Sequence, residues 1–101
     1  MTELSVWANL TALPGQTEQA EQFFTHSRAI MRDEPGTTAF FVVKIDELTY
    51  GIFSSFTDQA ALDEHAAGAT GKDVVEAMVG SVFAAPPTIT FSTVLQHYDA
   101  G

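Results

Sequence analysis

Residues 4–13 alternate between two unlike faces. Leu4, Val6, Ala8, Leu10 and Ala12 form one aliphatic row, while Ser5, Trp7, Asn9 and Thr11 set an indole beside polar groups on the other. This period of two predicts a strand that Pro14-Gly15 ends, because proline cannot donate to a ladder and glycine permits a sharp turn. From Gln16 to Asp33 the period becomes helical, with Ala20, Phe23, Phe24, Ser27, Ile30 and Met31 on one stripe. Glu18 near its start and Arg28 and Arg32 near its end suit the helix dipole, and Glu34-Pro35-Gly36 stops it. Residues 38–46 and 49–56 are two β-rich runs that read as an antiparallel hairpin.

The second half is built of shorter pieces. Residues 58–67 predict a helix capped by Thr57 or Asp58, with Ala61, Leu62 and His65 at helical spacing. Gly68 and Gly71 interrupt it, and a further helical piece is expected from Lys72 to about Phe83, ended by Pro86-Pro87. Thr88 to Tyr98 completes the chain as a last strand. The order β-α-β-β-α-β, with a split second helix, predicts one α+β domain of ferredoxin-like type over residues 1–101. Two helices cover only one face of a four-stranded sheet. The face carrying Trp7 is too apolar to leave wet, so two such sheets packed face to face, a homodimer, are expected.

Charge narrows the partners. Thirteen acidic residues against four basic ones give a formal net charge of −9, which repels phosphate backbones and anionic lipid. Nucleic-acid and membrane binding are therefore not expected. No apolar run is long enough to cross a bilayer, and the start Met1-Thr2-Glu3 lacks the features of a signal peptide, so a cytoplasmic location is the expectation. The absence of cysteine rules out disulfides, thiolate metal sites and a cysteine nucleophile. No His-x-x-x-His, phosphate loop or Gly-x-Ser-x-Gly elbow is present, so no metal and no cofactor are expected.

Several short strings, taken in order, resemble the antibiotic biosynthesis monooxygenase family. They are Leu13-Pro14-Gly15, Glu34-Pro35-Gly36-Thr37, the run from Tyr50 to His65, and Pro87-Thr88-Ile89. The resemblance implies a dimeric α/β barrel with a pocket between sheet and helices in each protomer. It also implies oxygenase chemistry on phenolic, anthrone or quinol substrates with O₂ and no metal or flavin. The family further includes haem-degrading enzymes and a sugar-phosphate isomerase, so the fold carries over more firmly than the reaction. Haem-degrading relatives carry an axial histidine on the segment where this chain has Asp73-Val74-Val75-Glu76.

His65 falls where the family places a histidine on its second helix, and a neutral imidazole there can take a phenolic proton. It competes with a structural histidine bonded near a helix end. Asn9 can orient a substrate oxygen, or bond to neighbouring backbone. Trp7 can stack on a planar ring, although packing in a dimer interface accounts for it as well. Tyr50 and Phe53 fall on opposite faces of their strand, so only one can look into a given pocket. His65 and Asn9 are thus the expected catalytic residues, with Trp7, Tyr50 and Phe53 as substrate-binding residues. The expected function is cofactor-independent oxidation of a small aromatic, quinol or polyketide-like substrate. The alternative is a non-oxidative member, a binding protein or an isomerase. That alternative draws on Ala61-Leu62, which stands where one bacterial subgroup often has Gly-Arg and so lacks an anion anchor.

Overall fold

The computed structural model describes residues 3–68 and 71–97. The alternating run forms β1 (Leu4–Thr11), and Gly15 then takes φ +83°, a left-handed turn that glycine adopts without strain. Helix α1 (Thr17–Arg32) follows and buries Ala20, Phe24, Ser27 and Met31, the centre of the expected stripe. The hairpin is β2 (Thr37–Lys44) and β3 (Thr49–Phe56). Its turn is held by Asp46, whose Oδ1 accepts from the backbone N–H of Leu48 (3.1 Å) and Thr49 (2.9 Å). Helix α2 (Gln59–Ala66) starts where Asp58 caps it, the carboxylate accepting from Ala61 N–H at 2.9 Å.

Two elements end earlier than their patterns suggest. Helix α3 spans only Lys72–Ala77, not residues 72–83. Gly80 sits at φ +90°, which no helix continues through, and Val82 and Phe83 turn back to donate to the Met78 carbonyl. The turn drives Phe83 into the core at 0% exposure, where it bridges to Ala12. Strand β4 spans Thr88–Thr93. It stops because β1 begins at Leu4, the partner of Thr93, leaving only the Glu3 carbonyl to accept from Val94 N–H. Tyr98, the expected end of this strand, lies outside the described residues.

The four strands form one antiparallel sheet in the order β2-β3-β1-β4, which is the ferredoxin-like arrangement. Helices cover one face. Beneath them lie two apolar clusters. The larger joins Leu10, Ala20, Phe24, Tyr50, Val75 and Phe83, and the smaller joins Met31, Phe56 and Leu62. The opposite face presents Trp7, Phe41, Val43 and Phe53, with Phe41 61% exposed. Gly51 makes room there, since a Cβ at that position would overlap the indole of Trp7 lying across it. Among the described residues no helix is long and apolar enough to cross a membrane.

Candidate functional site

The two clusters do not meet completely. Between them, on the helix side of the sheet, lies a cavity of about 160 Å³. Its floor comes from alternate positions of three strands: Val6, Ala8 and Leu10 of β1, Ile52 and Ser54 of β3, and Ile89 of β4. Ala8 and Ser54 are the small residues on that floor, and the space they leave accounts for the hollow. Leu62, His65 and Ala66 of α2 wall it on one side, with Val75 of α3 and Pro87 closing another.

His65 lies on the last turn of α2. Its side chain is 18% exposed and lies against the Phe56 ring at 5.1 Å between centroids. Nδ1 lies 3.3 Å from Oε1 of Glu34, an oxygen that also accepts from the Thr37 hydroxyl at 3.1 Å. A carboxylate only accepts, so the neutral ring presents Nδ1–H to Glu34 and carries its free lone pair on Nε2. His65 also borders a second groove, of about 210 Å³, formed with Glu34, Pro35, Gly36 and Ala61. The chain comes close here because Gly36 has no Cβ, and one would overlap the Ala61 methyl group.

The other expected site residues are placed elsewhere. Trp7 and Asn9 sit on the β1 positions that alternate with Val6 and Ala8, so the sheet separates them from His65. Phe53 shares their face, 6.4 Å from Phe41. Tyr50 is on the helix side, but it is buried in the larger cluster and stacks edge-on against Phe24 at 5.0 Å. Its hydroxyl donates to Glu21 at 2.6 Å, and Lys44 reaches the same carboxylate at 3.2 Å. Burial, then the Glu21 carboxylate, holds the Tyr50 phenol above its ordinary range, so it keeps its proton. Of the five, His65 alone lines the cavity.

Two residues at this site, one beside the cavity and one on its floor, escape a reading of the sequence alone. Glu34 was read only as part of a helix stop. A signal was present, since a carboxylate just past the negative end of a helix is unfavourably placed and calls for another partner. Ser54 was one hydroxyl in a β-rich run, with nothing to mark it. Among the described residues no group of three or more His, Cys, Asp or Glu side chains stands ready to hold a metal ion.

A ferredoxin-like sheet backed by three helices, with a carboxylate-paired histidine on the wall of an apolar cavity, describes a small α+β pocket protein. The sequence model described as antibiotic biosynthesis monooxygenase matches residues 4–77, and the chain belongs to that family. No curated protein matches the sequence. Among solved structures, a protein of unknown function from Nitrosomonas europaea is similar at 29% identity and a TM-score of 0.89, covering 100% of this chain and 97% of its own. A Mycobacterium tuberculosis protein is similar at 19% identity and a TM-score of 0.81, over 96% and 99% of the two chains. A candidate antibiotic biosynthesis monooxygenase from Caulobacter crescentus is similar at 22% identity and a TM-score of 0.78, over 94% and 92%.

Proposed function

We propose that this protein is a cofactor-independent monooxygenase acting on a small phenolic or quinol ring. The observation that carries the reading is His65, paired with Glu34 behind it, on the wall of a cavity sized for one ring. An apolar cavity of about 150 Å³ is large enough to hold benzene. At about 160 Å³ this one suits a single six-membered ring better than a three-ring polyketide. Glu34 holds the imidazole and stabilises the positive ring that forms when Nε2 takes the phenolic proton. The aliphatic walls exclude water and leave the phenolate little solvation, which raises its tendency to give an electron to O₂. The electrons balance without a further reductant. A phenol with a free ring position and O₂ become a quinone and water, one oxygen atom forming the new carbonyl.

The aromatic face opposite the helices supports a homodimer formed by two sheets. Trp7, Phe41, Val43 and Phe53 lie together on one face of the sheet with Phe41 and Val43 exposed, and a second copy offers the same apolar face in return. In that arrangement Trp7 and Phe53 act as interface packing, and Asn9 finds its partner across the dimer.

Following O₂ uptake by the metal-free protein over a panel of single-ring phenols and quinols tests the enzymatic reading. Uptake that falls in the His65→Ala variant supports it. Tight ring binding with no uptake above that variant would sink it in favour of a binding protein or isomerase.

A further inference from the structure

We propose that Ser54 is a substrate-anchoring residue, which makes the ligand class a neutral single ring carrying a second oxygen besides the one that reaches His65. Ser54 stands mid-strand on β3, opposite Val6 of β1 and Phe40 of β2, with its side chain on the cavity floor. It is 5% exposed, about as deeply buried as the other buried serines. Those others are all satisfied. Ser5 pairs with Ser92 at 2.7 Å, Ser55 with Thr38 at 2.6 Å, and Ser27 donates to the Phe23 carbonyl at 2.9 Å. The Ser54 hydroxyl has no such partner among the described residues, and its neighbours on the floor are aliphatic. Burying a hydroxyl without a bond costs free energy, and alanine or valine would fill the place with no such cost.

The chemistry of the ligand follows from what surrounds that hydroxyl. No carboxylate, lysine or arginine lines the cavity, so an ionic group on the ligand would go unpaired. A hydroxyl both donates and accepts, so the ligand oxygen can be a hydroxyl or a carbonyl, and one contact serves quinol and quinone alike. The polar groups are therefore two, Ser54 on the floor and His65 on the wall, in a cavity of about 160 Å³ otherwise lined by apolar groups. A dihydroxybenzene satisfies both, whereas a monophenol leaves one unbonded. The His65 half of this assignment rests on the reading above; the Ser54 half does not.

Titration under anaerobic conditions separates the two. Hydroquinone is the two-oxygen probe and toluene the oxygen-free one, each titrated into the parent and the Ser54→Ala variant by NMR. The expected result is a loss of about five- to ten-fold in hydroquinone affinity with toluene unchanged or tighter. The unliganded variant should melt at the same temperature as the parent or higher, since it sheds an unbonded polar group. Equal weakening of both probes, no weakening of either, or a variant that melts several degrees lower would each overturn the proposal. A parent that binds neither probe overturns it together with the enzymatic reading. Selective weakening in a protein that consumes no O₂ leaves Ser54 as an anchor and removes the monooxygenase.

Discussion

Filling the cavity should stabilise the protein and abolish ring binding together. Ala8 lies on the floor between its cross-strand partners Ile52 and Ile89, and its methyl faces the hollow. Ala8→Ile adds three carbons there and suits a strand, where β-branched side chains pack well. At about 0.8 kcal/mol per buried carbon the gain is roughly 2.4 kcal/mol. Fixing the new side chain costs about 0.5–1 kcal/mol in rotamer freedom, leaving a net stabilisation of roughly 1.5 kcal/mol. For a chain this small that corresponds to a rise in Tm of roughly 6–12 °C. Differential scanning calorimetry measures the shift, and NMR titration with toluene measures the lost binding. A fall in Tm would refute the reasoning, because it would mean that the site is already packed and the added carbons cost the 1–3 kcal/mol typical of overfilled cores.

The remaining predictions concern single contacts. His65→Ala should lower the rate of O₂ consumption by about 10²–10⁴-fold, the usual contribution of a positioned base, while toluene still binds; a rate within two-fold of the parent would argue against a proton-taking role. Glu34→Gln should lower the same rate less than His65→Ala does, because the ring loses the carboxylate that orients it but keeps its own nitrogens; a loss as large as that of His65→Ala would argue against a merely orienting role. Phe41→Asp places a charge in the exposed aromatic patch and should convert a dimer to a monomer in light scattering; an unchanged mass would mean that another surface makes the dimer. The Tyr50–Glu21–Lys44 group should give the protein a defined stability window. The Tyr50 hydroxyl, then Lys44, holds Glu21 below its ordinary 4.5, so its contribution is present above that pH and lost as the solution is acidified through the lowered value. Lys44 is held above its ordinary 10.5 chiefly by Glu21, so its share is present below that pH and lost as the solution is made more alkaline. The stability difference between the parent and Glu21→Gln should thus be level through neutral pH and narrow at both ends. A difference still level at pH 3 would contradict the assignment.

The sequence by itself determined the elements and the two-sidedness of the sheet. Periods of two and 3.6 are set by the backbone and show wherever one side of an element is buried, and Leu4–Thr11 and Thr17–Arg32 appear close to where the pattern places them. The turn at Gly15 was legible for the same reason, and the helix cap was narrowed to Thr57 or Asp58, of which Asp58 makes the bond, since each acts through its own neighbours in the chain. Tertiary structure decided what local rules do not reach. Helix α3 ends at Ala77 because Phe83 turns back to fill the core, and β4 ends at Thr93 because its partner strand has run out. Asn9 and Trp7 were grouped with His65 on chemistry, and it took the side of the sheet chosen by the helices to part them. Glu34 and His65 are 31 residues apart in the chain, and no periodicity links two helix ends that meet only when both pack on one sheet. Ser54 shows the limit most clearly. A serine in a strand is ordinary until the register is known, and only the packed structure leaves its hydroxyl on the floor of an apolar cavity.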